Sequence, residues 1–473
     1  MVDASVELPP PPATVHLIGI GGIGMSGLAR ILAARGYVVT GSDAAESPVV
    51  QALRDEGFLV AIGHDPMNLG APQLVVATAA ARSENPELAA ARSRGLPVVK
   101  RAVLLGRLCD ERDCIAVAGT HGKSTTCGML ALALVRAGLD PSFAVGAVVS
   151  QLGTNARPGQ GAIFVAEADE YDYSFLSLHP SVAIVTNVEH DHPDLFPTPE
   201  AVDDAFARFA AQLRPDGTLV VSADDPGCRR LVARLGATAP RVVTFGTAPD
   251  ANWRLRRAPS EDGGPGDTLV RAPGGDEHPL DLRVPGWHNR LNAVAALAGG
   301  VAAGLSVEQL LPGITEFAGV GRRFEERGRV AGVTVIDDYA HHPTEIAVNI
   351  AAARERYPGA RLWAVFQPHT YSRTRLLLDR FAEALSGADR VVLAAIYAAR
   401  ETDDLGVSSA DVASRITGPP VDLVGSADEA GERVASAAQV GDVVLVLGAG
   451  DIWKASETLL RSLAARDTGQ RPA

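Results

Sequence analysis

The chain has 473 residues, 47% of them hydrophobic, and at ~150 residues per domain this length accommodates about three buried cores. A formal net charge of -13 excludes a general nucleic-acid-binding role, because phosphate backbones are gripped by clustered Lys and Arg. No basic leader precedes an apolar stretch, and no run of ~18 apolar residues occurs, so a cytoplasmic protein without a membrane partner is expected.

In chain order, VHLIGI (15–20), a glycine turn, a helical pattern through Arg35 and VVTGSD (38–43) predict a strand, helix, strand unit. LVVATAA (74–80) adds a strand, and the alternation predicts a Rossmann-like first domain over 1–106. A second series opens with CIAVAG (114–119), a glycine turn and a helix closed by Gly138, then continues through 162–170, 182–189, 217–225 and 241–246. It predicts a central P-loop type domain over 107–321 with a mostly parallel sheet, an acidic Gly/Pro-rich hairpin after Ala258 and a helix from Asn289 to Gly300. A third series, at 333–340, 362–370, 390–399 and 442–451, predicts a Rossmann-like domain over 322–473. The class is therefore α/β throughout. The proline-rich start and the tail from Ala465 are expected to be disordered, and the four cysteines to be small core residues.

The sharpest chemical signal is AGTHGKSTT (118–126), placed between an apolar strand and a helix, where backbone N–H groups and the helix dipole hold phosphate. Lys123 is one of only three lysines and suits the terminal phosphates, while the Ser124 hydroxyl suits Mg²⁺. The Walker spacing places its first glycine at position 117, which is Val117, so the loop is a shortened relative. Glu167, Asp169 and Glu170 at one strand end and Glu189 and Asp191 at the next would repel one another without a cation, for which Glu167 and His192 are candidate ligands.

GIGGIGMSG (19–27) has Gly19, Gly21 and Gly24 in dinucleotide spacing, with Asp43 22 residues beyond Gly21. The turn serves NAD or any other diphosphate, with Ser42 or Asp43 reaching a ribose or base. HNRLN (288–292) either presents His288 and Asn292 to a ligand or caps its helix. DDYAHHPTE (337–345) and PHTYSRTR (368–375) gather carboxylates, His and Arg at two strand ends, the second suited to a carboxylate or phosphate.

These segments, with GVGRRFE and LGAGDIW, make eight ordered motifs between about residues 15 and 454 that resemble the Mur ligases. The opening glycine motif, GTNAR (153–157) and DDYAHHPTE are similar to the branch that joins L-alanine to UDP-N-acetylmuramate. The resemblance implies ATP and Mg²⁺ as cofactors and an acyl-phosphate intermediate. Gly119, Thr120, His121, Gly122, Lys123, Ser124, Thr125, His288, Asn292, Arg323 and Asp338 would then hold nucleotide, and Ser124, Glu167 and His192 the metal. Gly21, Gly22, Gly24, Ser42, Asp43, Thr78, Tyr339, His341, His369 and Arg373 would meet substrate, with Lys123, Glu167, His192, His342 and Arg373 catalytic. Relatives that carry a carbamylated lysine have no counterpart here, because no lysine lies between 124 and 453. Tyr171 replaces the usual Ser after EADE, and Thr370 the usual Arg after PH. A recycling ligase that attaches a murein tripeptide shares these motifs, and an NAD-dependent oxidoreductase stands as the alternative outside the class. Monomer and homodimer are both compatible with the pattern.

Overall fold

The computed structural model describes residues 7–258 and 267–467. These residues gather into two compact units. The first holds the described residues up to Glu189, with Glu200–Asp281 and Leu291–Ala318; the second holds His190–Pro199, Leu282–Arg290 and the described residues from Gly319 onward. The helix Arg101–Asp110 runs across the point where the first domain is expected to end.

The first unit carries two sheets. β1 (Thr14–Ile18), β2 (Val38–Asp43), β3 (Leu59–Ile62), β4 (Leu74–Ala77) and β5 (Val98–Lys100) are all parallel, in the order β3-β2-β1-β4-β5. Val15, Leu17 and Ile18 of the central strand are fully buried, and helix Ile23–Ala34 lays Met25, Leu28, Ala29, Ile31 and Leu32 into the core. Strand order reverses between β1 and β4, which opens a crevice at the glycine turn after β1, the usual place for a ligand in such sheets.

The second sheet contains β6 (Asp113–Ala118), β7 (Ser142–Val149), β8 (Thr154–Arg157), β9 (Ile163–Glu167), β10 (Val182–Val185), β11 (Thr218–Ser222), β12 (Arg241–Gly246), β13 (Trp253–Arg257), β14 (Thr268–Arg271) and β15 (Glu277–Pro279). Their order is β15-β14-β13-β12-β11-β10-β6-β9-β7-β8, parallel from β7 to β13 and antiparallel at both edges. β6 is flanked by β9 and β10, so the loop after it lies between the carboxylate-bearing ends of its neighbours. Helix Lys123–Arg136 buries a continuous stretch from Ser124 to Leu134, as a helix covered on all sides must.

The second unit is built on β16 (Glu325–Val330), β17 (Val333–Asp338), β18 (Leu362–Phe366), β19 (Arg390–Leu393), β20 (Val421–Leu423) and β21 (Val443–Leu447), in the order β16-β17-β21-β18-β19-β20. Only β16 is antiparallel to its neighbour. Apolar clusters cover both faces, around Phe366 and Phe381 on one side and Trp363 and Leu463 on the other.

Several strands, β6, β9, β10 and β21 among them, stop short of the apolar runs that predict them, and the C-terminal residues of those runs turn away as loops, whereas β2 and β12 match their runs. The proline-rich start is packed where it is described: Tyr37 Oη donates to the Pro9 carbonyl at 2.9 Å. Of the acidic hairpin, residues 259–266 lie outside the described residues, as do 468–473 of the tail; β13 and β14 on either side of the former pair antiparallel. All four cysteines are free and buried. Among the described residues no helix is long and apolar enough to cross a membrane.

Candidate active site

The loop after β6 is pinned to the end of β10. Thr120 N–H donates to the Asn187 carbonyl at 3.1 Å, His121 N–H to Asn187 Oδ1 at 2.8 Å, and Glu189 N–H to Thr120 Oγ1 at 2.9 Å. Two glycines are required by space as well as by dihedral. A Cβ on Gly119 (φ +135) would lie 2.0 Å from Thr186 Oγ1, and one on Gly122 (φ +81) would lie 2.6 Å from Asn292 Oδ1. Asn292 is thus seated against the loop, as the ligand reading of HNRLN requires, while Asn289 Nδ2 donates to the Pro285 carbonyl at 2.7 Å.

Lys123 Nζ donates to the carbonyls of Gly119 (2.6 Å) and Thr120 (3.2 Å) and pairs with Glu170 Oε2 at 2.8 Å. Burial alone would lower its pKa, but Glu170, Asp169 and Glu167 outweigh it and raise the pKa, so the ammonium stays charged. Ser124 Oγ donates to Glu167 Oε1 at 3.0 Å, and Gly146 N–H to Glu167 Oε2 at 2.6 Å. A hydroxyl and a carboxylate in contact are hard oxygen donors, the set that suits Mg²⁺.

At the first glycine turn, Gly21 N–H donates to Asp43 Oδ2 at 2.8 Å, and a Cβ on Gly19 (φ +79) would lie 2.6 Å from Thr78 Cγ2. Gly21, Asp43 and Thr78 therefore meet at the sheet's crevice. Ser42 joins them only through its carbonyl, which accepts the Gly19 and Ile20 N–H groups at 2.8 and 3.0 Å. It is fully buried, and its hydroxyl donates to Glu87 Oε2 at 2.5 Å, so its expected contact with substrate gives way to a structural bond. Burial pushes the Glu87 carboxyl up, yet hydrogen bonds from His16, Ser42 and Asn68 prevail and hold it at about 2. Asn155, from GTNAR, donates to the Ile23 carbonyl at 2.9 Å and steadies the helix that follows the turn.

In the second unit, Phe324 and Ala340 N–H groups both donate to Asp338 at 2.7 Å, and Arg323 Nη1 reaches Glu345 Oε1 at 3.0 Å. Burial pushes the Asp338 carboxyl up to about 6, against the pull of Arg323. Tyr339 is exposed on the surface of its unit, with the Arg322 and Arg323 guanidinium groups 5.0 and 5.5 Å from its ring. His342 is fully buried and caps helix Pro343–Arg356, taking Thr344 N–H on Nδ1 at 3.3 Å while Glu345 returns the bond to the cap backbone. Capping occupies Nδ1 of His342 and fixes its ring.

Arg373 is 3% exposed and central to a second group of the same unit. Its Nε donates to Asp191 Oδ1 at 2.7 Å, Nη1 to the His369 carbonyl at 3.3 Å, and Nη2 lies 3.4 Å from His192 Nδ1. Burial would raise the Asp191 carboxyl, but Arg373 and the neighbouring histidines hold it well below the usual range. His369 stacks on Tyr397, with centroids 5.5 Å apart, and lies 6.0 Å from the His341 ring. Burial lowers His341 to about 3, His369 to about 4 and His288 to about 4, so these imidazoles are neutral near pH 7. Arg375 points to solvent. The residues that sequence reasoning misses, Thr186, Asn187, Glu87 and Glu401, act as supports; Thr186 and Asn187 sit in a recognisable motif, TNVEHDH, and the other two do not.

Three family models match the chain: Mur ligase family, catalytic domain, over residues 14–113; Mur ligase middle domain, over 117–300; and Mur ligase, glutamate ligase domain, over 322–450. The UDP-N-acetylmuramate–L-alanine ligase of Paenarthrobacter aurescens is 48% identical over 95% of this chain and 97% of its own length. That of Mycolicibacterium smegmatis is 45% identical over 99% and 98%. Among solved structures, the UDP-N-acetylmuramate-alanine ligase of Thermotoga maritima is 29% identical with a TM-score of 0.79, covering 97% of this chain and 100% of that one. A murein peptide ligase from Psychrobacter arcticus is 26% identical with a TM-score of 0.73, over 96% and 99%. The glycine-built Lys123 loop and these full-length matches agree: the chain belongs to the Mur ligase family.

Proposed function

We propose that this chain is an ATP-dependent ligase that joins L-alanine to the lactyl carboxylate of UDP-N-acetylmuramate. The observation that carries the ATP half is the Lys123 loop, with Ser124 on Glu167 and Lys123 ringed by carboxylates. Likeness to L-alanine ligases over nearly the whole chain supports the choice of acceptor.

In the first step a lactyl carboxylate oxygen bonds to the γ-phosphorus, the bond to the β-phosphate oxygen breaks and ADP leaves. In the second, the alanine amine attacks the acyl carbon, phosphate departs and the amine loses its proton. The first step brings two anions together, so fixed positive charge lowers its barrier. Lys123 is charged and held beside the loop by Gly119, Thr120 and Glu170, which occupy its three N–H groups, so it exchanges at least one of these bonds to meet the terminal phosphates. Ser124 and Glu167 would hold Mg²⁺, with His192 on a second ion; bound metal supplies further neutralisation of the phosphates. His288, Asn292, Arg323 and Asp338 serve the nucleotide, the Gly21 turn with Asp43 and Thr78 the UDP-sugar, and Tyr339, His341, His369 and Arg373 the alanine.

The test is ADP and phosphate release with MgATP, UDP-N-acetylmuramate and L-alanine, omitting each in turn. The expected result is release that requires all three, with UDP-N-acetylmuramoyl-alanine identified by mass. Release with L-alanyl-γ-D-glutamyl-diaminopimelate but not with L-alanine would overturn the assignment in favour of the recycling ligase.

A further inference from the structure

The short helix Tyr371–Leu376 carries Arg373, yet the side chain of its own cap residue takes no amide of the first turn. Thr370 sits at φ +68 and offers no side-chain bond to the helix amides. The missing acceptor comes from 30 residues further along the chain. Glu401 takes the Tyr371 N–H at 2.5 Å, the Ser372 N–H at 3.1 Å and, in addition, the Ser372 hydroxyl. One carboxylate thus satisfies two helix amides and a hydroxyl, bonds that are stronger for its charge.

The same segment grips the preceding residues from the other side. Tyr397 N–H donates to the Pro368 carbonyl and its carbonyl accepts from Thr370 N–H, each at 2.8 Å. Its ring stacks on His369 at an interplanar angle of 18°, and a Cβ on Gly450 would lie 2.7 Å from that ring, so the ring has little room to shift. His369 and Arg373 are therefore held between Tyr397 on one flank and Glu401 on the other.

We propose that Glu401 is a positioning residue of the acceptor site, setting the direction in which the Tyr371–Leu376 helix presents Arg373 and His369 to the acceptor. This rests on the reading that L-alanine meets those two residues. The Glu401 carboxylate bonds to Tyr371 and Ser372, neither of them assigned to nucleotide or UDP-sugar, so its effect reaches the site through the helix that carries Arg373.

The test compares Glu401→Gln and Glu401→Asp with the wild type in the full chain, by steady-state kinetics and by hydrogen exchange over residues 368–376. Gln keeps the shape but turns an amide N–H₂ toward donors. The expected result for Glu401→Gln is a rise of roughly 10-fold in KM for L-alanine, the scale of a lost charge-assisted bond, with kcat and the KM values for MgATP and UDP-N-acetylmuramate within about 2-fold. Tyr371 and Ser372 amides exchange faster, and Glu401→Asp recovers part of both effects. Three KM values rising together, an unchanged KM for alanine, or unchanged exchange would each overturn the proposal. Should the wild type release no phosphate with L-alanine, the acceptor reading fails, and the exchange measurement alone decides whether Glu401 orders the helix.

Discussion

Replacing Lys123 with Met separates what the lysine does for folding from what it does for chemistry. The substitution keeps the aliphatic stem and removes the ammonium from a position 2.8 Å from Glu170, a carboxylate only 3% exposed. Breaking a buried pair from one side costs about 3–5 kcal/mol, because the remaining charge stays out of water. With the Lys side chain 14% exposed, the lower end, ~3 kcal/mol, is the relevant figure. At about 2–4 °C per kcal/mol this lowers the melting temperature by roughly 6–12 °C. The second variant, Lys123→Met with Glu170→Gln, removes the stranded charge and restores most of the loss, while neither variant hydrolyses ATP. The pH dependence has a fixed sign. The raised Lys123 pKa makes its contribution complete below the unfolded value of about 10.4 and lost only as pH climbs through the higher folded value. The Lys123 contribution to the wild type is therefore constant between about pH 6 and 9. Thermal melts followed by circular dichroism, alongside phosphate release, measure both quantities. A single variant as stable as the wild type, or a double variant no better than the single, would refute the reasoning.

Three further outcomes are expected. Gly122→Ala adds a Cβ at φ +81 and 2.6 Å from Asn292 Oδ1, so MgATP affinity measured by calorimetry falls at least ~10-fold, with UDP-N-acetylmuramate binding unchanged. Asp338 has a folded pKa of about 6 against about 3.9 unfolded; its contribution is complete below about pH 4 and lost as pH rises through 6, a difference of ~3 kcal/mol. Urea titrations of Asp338→Asn should therefore show the variant gaining on the wild type between pH 4 and 7, and parallel curves would contradict this. Asp442→Ala strips the partner from the fully buried Trp363 indole N–H (2.9 Å) and from the Arg361 fork, destabilising the second unit by about 2–4 kcal/mol in chemical denaturation. Hydrogen bonds from Arg361, Gln439 and Trp363 overcome burial and lower the Asp442 carboxyl, so the wild-type advantage is present above about pH 4 and fades below it.

What was legible in the sequence follows from where each strand lies. β1, β6, β10 and β21 have neighbours on both sides and helices on both faces, and so read as unbroken apolar runs. β5 has three residues and β8 reads TNAR; an edge strand of that kind shows no apolar run to detect. The loops at the strand ends were legible because glycine, lysine and carboxylate are conspicuous there. Their supports were not, since Glu87 reaches Ser42 from 45 residues away and Glu401 reaches Ser372 from 29. One error was avoidable. Neighbouring side chains on a strand face opposite ways, so those of Ser42 and Asp43 do not both meet the glycine turn: Asp43 takes the Gly21 N–H, while the Ser42 hydroxyl turns inward to Glu87. Capping by His342 was equally hidden, because an imidazole before Pro343 reads as chemistry in the sequence while its Nδ1 takes the Thr344 N–H.

The two glycine turns of the first unit show why the surroundings of a loop matter more than its glycines. Both follow a central strand where the order of neighbours reverses, and both lead into a helix N-terminus. They differ in charge. At the first turn the Asp43 carboxylate takes the Gly21 N–H, so an incoming phosphate at about 5 Å would meet a repulsion of ~3 kcal/mol at an effective dielectric of 20, whereas a ribose hydroxyl would meet an acceptor. At the second, the ammonium of Lys123 sits in the turn itself, with Glu167 and Ser124 supplying oxygen donors alongside. Charge thus distinguishes the two turns: a fixed cation stands at the second and a hydroxyl acceptor at the first. An oxidoreductase built on the first turn alone would leave the Lys123 ammonium and its three carboxylates, ordered at a measurable cost in desolvation, with nothing to do.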